Sequence, residues 1–451
     1  MNFPPALTWL QLFASNATCV CDPTSPPAEW FAQMLAKFSP AQMPGAPRLL
    51  VAQGKTSAAG AELSNYDGVV AISSPGMTAQ GLEAAGFAYV RRFAVMPSLT
   101  NARWFISLDS PAIAAAGFSL YTPARRSAHL KKAAARLAAR MRLPIWYRDE
   151  IIVASRALPP MPQKLSELFP NQMIHLALSS GAPEPAINRK ASAVVLGPGG
   201  KILAFVKIGG SDVSRRIVEH EGNILPALAA REALGQVVPR LLFGGEIDGR
   251  YLTVQTPLAG KPAPCRLTPA HRAFLKALRN GKTKPAAATQ MVATLPARLS
   301  DLPMQKRQEL GTILDRLMPT LQTLEVTSTV IHGDFAPWNL RIHEGRISAF
   351  DWEYGELDGL PLVDETHYLL QLGSQLHHWN IDQACACLSE IAASKPLGMI
   401  ETQVSAIHAV YLIDSLVRLL NEGYDPEDEM LTWYRELLNR LMVKIPEAVA
   451  V

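Results

Sequence analysis

VIHGDFAPWNLRIHEGRISAFDWEYGELD, residues 330–358, decides how this 451-residue chain is read. It holds Asp334, an asparagine five positions later at Asn339, and a second aspartate twelve beyond that at Asp351. Two short apolar β-like pieces, VIH and ISAF, flank the loop and would pin both its ends, so that the three side chains converge. Pro337 and Trp338 stiffen the backbone just before the asparagine. Phosphoryl transfer demands little covalent chemistry but close positioning: one carboxylate to orient an acceptor hydroxyl, and oxygen ligands for magnesium on the phosphates. An Asp, an Asn and an Asp supply those roles.

HGDFAPWN followed by FDWE resembles the aminoglycoside phosphotransferase and choline kinase-like family, whose catalytic loop reads His-Gly-Asp, four residues, then Asn, with a later Asp. The resemblance covers about residues 165–445. It implies an α+β, protein-kinase-like bilobal fold, with a β-rich N-lobe and a helical C-lobe. By that resemblance Asp334 is the catalytic base, Asn339 and Asp351 are magnesium ligands, and His332 and Asp364 support the loop. ATP or GTP with Mg2+ is then the donor, and a hydroxyl of a small molecule (a sugar, amino alcohol or aminoglycoside-like compound) the acceptor. A catalytically silent kinase-like scaffold that binds nucleotide is the rival. Asp-Trp-Glu where protein kinases carry Asp-Phe-Gly argues against a protein substrate.

The same resemblance calls for an upstream lysine that neutralises the nucleotide's α and β phosphates, held by a helix carboxylate. Lys207, at the end of the apolar run ILAFV, fits the lysine; Glu219 and Glu221 are both candidates for the carboxylate, with the spacing to Leu225 favouring Glu221. A phosphate-covering loop is expected around Ser180 and Gly181, although no Gly-x-Gly-x-x-Gly is present. The adenine-binding hinge is expected near Val254 to Leu258.

Outward from these residues, MIHLALSS (173–180), SAVVLG (192–197) and KILAFVKI (201–208) read as strands, the last two joined by a Gly-Pro-Gly-Gly turn. Helical spacing follows over 214–230, then two strands around an Asp-Gly turn in 238–258, then mostly helix to the end. Upstream, PRLLVAQ (47–53) and DGVVAIS (67–73) read as buried strands of a small α/β domain. The proline-rich ALPPMPQ (157–163) breaks regular structure and marks a boundary. The expected division is thus 1–155, 165–258 and 259–451.

Residues 84–109 faintly resemble the C-terminal strands of class I methyltransferases, with no Gly-x-Gly cofactor loop before them. Gly54-Lys55-Thr56 looks like the end of a Walker A loop, but Leu49 stands where its first glycine is needed. RRSAHLKKAAARLAARMRL (125–143) is a basic amphipathic helix with Leu130, Ala134, Leu137 and Met141 on one face. It is expected to pack on its own domain with its basic face in water, rather than on an anionic membrane.

A near balance of 43 basic and 39 acidic residues argues against nucleic acid as a partner. Five cysteines, four of them in Cys-x-Cys pairs, are too few for a disulfide framework and lack the spacing of a common zinc site. No signal-peptide pattern and no long uncharged apolar run is found, so a cytoplasmic location and no membrane span are expected.

Overall fold

The computed structural model describes residues 4–24, 26–38, 45–54, 63–73, 76–120, 126–182, 188–443 and 445. Lys55 and Thr56, of the Walker-like sequence, lie outside them. The chain divides into two compact units: Met1–Gly222 with Leu241–Pro257, and Asn223–Arg240 with Leu258–Val451.

The first unit is built on one 11-stranded sheet. Its strands are β1 (Thr18–Cys21), β2 (Arg48–Gln53), β3 (Gly68–Ile72), β4 (Tyr89–Met96), β5 (Trp104–Ser107), β6 (Asp149–Ser155), β7 (His175–Ser179), β8 (Ala191–Leu196), β9 (Ile202–Gly209), β10 (Leu241–Ile247) and β11 (Arg250–Gln255). They lie in the order β1-β2-β3-β6-β4-β5-β7-β8-β9-β11-β10. β1, β2 and β3 run parallel, and every other neighbouring pair is antiparallel. Strands β7 to β11, with the Asp212–Ala229 helix between β9 and β10, form a β-rich lobe.

Residues 1–155 and 165–258 meet in this sheet without a break, because β5 pairs β7 with Trp104 opposite Ser179 and Ile106 opposite Ala177. The intervening proline-rich stretch does not break regular structure as expected. It opens a helix, Pro160–Leu168, with Pro159 at the N-cap. Proline is tolerated there because the first turn's N–H groups have no intrahelical partner to lose.

One face of the β-rich lobe is covered from the N-terminal side. Alternation along β9 sends Ala204, Val206 and Ile208 to that face and Lys207 to the other. The 3-10 helix Pro5–Leu12 lays Leu7, Trp9 and Leu12, all fully buried, into the same core as Val195, Val206 and Leu252. Arg250 is buried beneath it and donates to the carbonyl of Phe13 at 2.7 Å. Burial, against the opposing pull of Asp248, pushes that guanidinium down to about 10.

The basic helix spans Arg126–Arg140 and packs by a different face from the one expected. Ala135 and Ala139 join Ala114, Ala115 and Phe118 in one apolar cluster, against the Pro111–Gly117 helix. Alanine permits this close approach of two helices, which leucine would block.

The second unit is mainly helical. Its core gathers apolar residues from the helices Met304–Thr323, Glu401–Glu422 and Glu429–Met442. Among the described residues Glu401–Glu422 is the one helix long and apolar enough to cross a membrane, and 72% of its most apolar window is buried within the unit. Two small sheets frame the Asp334 loop. Arg279–Pro285, Glu325–Ile331 and Glu356–Gly359 form one; Lys261–Pro262, Leu340–His343 and Arg346–Ala349 form the other.

Candidate active site

The loop 332–339 leaves one small sheet at Ile331 and enters the other at Leu340. Its geometry is set by Asp364, in the first turn of the helix Val363–Gln371. That carboxylate accepts the His332 N–H at 2.8 Å and the Gly333 N–H at 3.0 Å. Gly333 has φ 78°, and a β-carbon there would come within 2.3 Å of the Tyr354 carbonyl oxygen, so no other residue fits this crossing. Arg418, stacked over the Tyr354 ring, donates to the Gly333 carbonyl at 3.1 Å.

His332 is fully buried against Trp352, with ring centroids 4.5 Å apart. Its Nδ1 accepts the Asp334 N–H at 3.2 Å, so the proton sits on Nε2, which donates to the Phe350 carbonyl at 3.0 Å. Burial lowers its pKa and keeps the ring neutral. This imidazole is a brace that ties Asp334 to the residue before Asp351.

Asp334 is half-buried and held through both oxygens. Asn339 Nδ2 donates to Oδ2 at 2.7 Å and to the Asp334 main-chain carbonyl at 3.0 Å. His367 Nε2 lies 3.0 Å from Oδ1. Burial raises the cost of the carboxylate's charge, but the His367 hydrogen bond and charge outweigh it and hold the pKa below the ordinary value. His367 is itself oriented by Tyr411, whose hydroxyl lies 3.0 Å from Nδ1 and 3.4 Å from the Tyr434 hydroxyl.

With both Asn339 Nδ2 bonds directed at Asp334, its Oδ1 is the atom left to meet a cation. Asp351 adds a carboxylate, carried at φ 73°, a left-handed conformation that a non-glycine residue adopts only under local constraint. The constraint is visible on both sides: the Phe350 N–H donates to the Asn339 carbonyl at 3.0 Å, and buried Trp352 donates from Nε1 to the Ala349 carbonyl at 2.9 Å. An amide oxygen and a carboxylate suit magnesium, which takes few protein ligands and completes its shell with phosphate oxygens and water. Among the described residues no cluster of three or more His, Cys, Asp or Glu is gathered as a metal site.

In the first unit, Lys207 Nζ lies 2.6 Å from Glu221 Oε2. Glu221 is fully buried, whereas Glu219 is half-exposed. The carboxylate that meets the lysine is therefore Glu221. Ser180 is placed otherwise than expected of a phosphate loop: it is buried, its N–H donates to the Arg103 carbonyl at 2.9 Å, and its hydroxyl reaches toward the Ala102 carbonyl at 3.5 Å. Both donors are turned to the strand-β5 side of the sheet, because β5 pairs along β7. Gly181 has φ 88°, and a β-carbon there would meet the Lys190 carbonyl oxygen at 2.1 Å; it serves a close backbone crossing.

His367, Tyr411 and Arg418 were not singled out by sequence. The signal for His367 was present in Asp364-x-x-His367, since residues three apart share a helix face and Asp364 already pointed at the loop.

Residues 188–364 match the family model described as the phosphotransferase enzyme family, APH. The matched span contains Lys207, Glu221, Asp334, Asn339 and Asp351 and ends on Asp364. No curated protein matches the chain. Solved structures similar to it include a thermostable mutant of aminoglycoside phosphotransferase APH(4)-Ia in ternary complex with AMP-PNP and hygromycin B. It is 15% identical, covers 62% of this chain and 97% of its own, and has a TM-score of 0.42. The gentamicin complex of APH(2")-IIa is 15% identical, covering 63% and 98%, with a TM-score of 0.40. Amicoumacin kinase hAmiN with AMP-PNP, Ca2+ and Ami is 13% identical, covering 60% and 90%, with a TM-score of 0.38. The similarity to the phosphotransferase enzyme family thus lies in residues 188–364.

Proposed function

We propose that this chain is a magnesium-dependent kinase that moves the γ-phosphate of ATP or GTP onto a hydroxyl of a small molecule such as a sugar, an amino alcohol or an aminoglycoside-like compound. The observation that carries this reading is the carboxylate of Asp334, fixed at one oxygen by Asn339 (2.7 Å) and at the other by His367 (3.0 Å). Each oxygen keeps a further lone pair with which to accept a substrate hydroxyl. The lowered pKa keeps the group anionic at neutral pH. It orients the hydroxyl and takes its proton as the new oxygen–phosphorus bond forms.

Asn339 Oδ1 and the Asp351 carboxylate would hold magnesium, which supplies charge neutralisation on the phosphates when bound with the nucleotide. Lys207, kept straight by Glu221, adds positive charge for the α and β phosphates. On this reading 165–258 and 259–451 are the two kinase lobes. Residues 1–155 brace the sheet of the first.

The test is a phosphate-transfer screen on the full chain over sugars, aminoglycosides, choline-like alcohols and nucleosides, with ATP and with GTP, beside Asp334→Ala. Turnover on one acceptor class is expected, falling on the order of 10²–10⁴-fold in the variant. Equal turnover by the variant removes Asp334 from the mechanism. Nucleotide binding with no turnover on any acceptor favours a silent scaffold.

A further inference from the structure

We infer that the Arg126–Arg140 helix docks the protein onto an anionic phospholipid surface. The helix is held to its own domain by Ala135 and Ala139. That leaves outward the apolar face that amphipathic helices normally bury: Leu130 is 72% exposed, Leu137 59% and Met141 61%. Ala134 is exposed between them. At about 100° per residue these four fall on one stripe, roughly 16 Å long from Leu130 to Met141. Beyond the helix, Ile145 is 80% exposed and Leu143 40%, and they extend the apolar surface.

Charge identifies what covers this stripe. Lys131 borders it on one side and Arg136 and Arg140 on the other, all exposed. From Ser110 to Arg148 the chain has no aspartate or glutamate, while Arg125, Arg126, Lys131, Lys132, Arg136, Arg140, Arg142 and Arg148 are basic. The rest of the protein is nearly balanced in charge, so this concentration is local. An apolar ridge with cations on both flanks, in a stretch of chain that carries no carboxylate, suits an interface of acyl chains below and phosphate groups around: the leucines enter the boundary, and the long basic stems reach outward to the headgroups. A single helix lying on a domain surface is also convex. It offers a protein partner no groove, whereas fluid lipid closes around it.

The test is co-sedimentation of the full chain with phosphatidylcholine vesicles containing or lacking phosphatidylglycerol. Binding is expected only with the anionic lipid, weakening as salt is raised. Leu130→Gln with Leu137→Gln should lower the partition at least tenfold, and so should Lys131→Glu with Arg140→Glu. All four side chains are exposed, so unchanged thermal melting is expected, and a variant that melts early is replaced by the single Leu130→Gln. Absence of vesicle binding overturns the inference. So does binding that ignores the leucine changes, which would be electrostatic adsorption alone. A dimer in solution abolished by Leu130→Gln would also overturn it, because a second copy would then cover the stripe.

Discussion

Asp334 receives one hydrogen bond on each carboxylate oxygen, and the two donors have different consequences. Asn339 holds position, while His367 also sets the charge, since its contact is what keeps the carboxyl below its ordinary pKa against the cost of burial. A lowered carboxyl pKa keeps the anion present down to lower pH, so with Asp334 as the proposed base the acid limb of the pH–rate profile should sit low. Replacing His367 by Leu removes the donor and leaves the burial cost, so that limb should move up in pH and kcat at neutral pH should fall by on the order of 10–100-fold, with KM for nucleotide little changed. His367→Asn, which keeps a donor, should recover part of the loss. A pH–rate profile of the leucine variant that overlays the wild type would show that His367 does not govern Asp334. Glu356 is a second case with the opposite sign. Burial first, then Asp414, pushes its carboxyl up to about 7 against the pull of Arg298 and Arg418. The folded protein therefore holds that proton where the unfolded chain, with an ordinary carboxyl, has lost it, and stability is lost as pH rises from about 4.5 to 7. Glu356→Gln should flatten this part of the stability–pH curve and be the more stable protein at pH 8 in urea unfolding; a slope equal to the wild type's would remove Glu356 as its source.

The helix Val363–Gln371 contributes its whole first two turns to the loop: Asp364 accepts two main-chain N–H groups and His367, one turn on, reaches the carboxylate. Asp364→Ala strands two N–H groups in a buried setting, at about 1–3 kcal/mol each. A loss of about 2–5 kcal/mol in denaturant unfolding is expected, together with a drop in kcat. Burial already pushes the Asp364 carboxyl up, so neutral Asn should cost less than Ala; equal losses would mean the charge, not the acceptor, holds the loop. The elements themselves were largely legible. Strands 48–53, 68–72, 191–196 and 202–209 fall where short apolar runs end in glycine or proline turns, and the two C-terminal helices where apolar residues recur at helical spacing. The meeting of Asp334 with Asn339 is legible because the two lie five positions apart in one loop. The surroundings of Ser180 and the contact of His367 are hidden from sequence for one reason: each depends on a partner far along the chain, Ala102 for one and Asp334 for the other. The basic helix was read with the correct amphipathic stripe, but periodicity cannot say which side a domain covers when the other side is alanine.

At the scale of the molecule, the feature that periodicity could not disclose is the continuity of the sheet. Antiparallel pairing of β5 with β7 joins residues 71 to 75 positions apart and leaves no spacing signal, while the prolines between them resemble a linker. The consequence is energetic. The β-rich lobe borrows its outer cover from the N-terminal segment: Leu7, Trp9 and Leu12 lie on the face that Ala193, Val195, Ala204, Val206 and Ile208 present, and Arg250 is sealed beneath Phe13. A chain begun at residue 165 would expose that face together with an unpaired edge along β7, a combination that invites strand-to-strand association. Such a fragment should be recovered mainly as aggregate, although it contains every residue assigned to phosphate transfer. Within the full chain, Trp9→Ala should cost about 3–5 kcal/mol, because it empties a fully buried site between the 3-10 helix and the sheet. If the 165–451 fragment instead were monomeric, with a cooperative melt close to that of the full chain, the first 155 residues would be an appended domain and not part of the lobe's core; size-exclusion chromatography and calorimetry of the two proteins side by side decide between these.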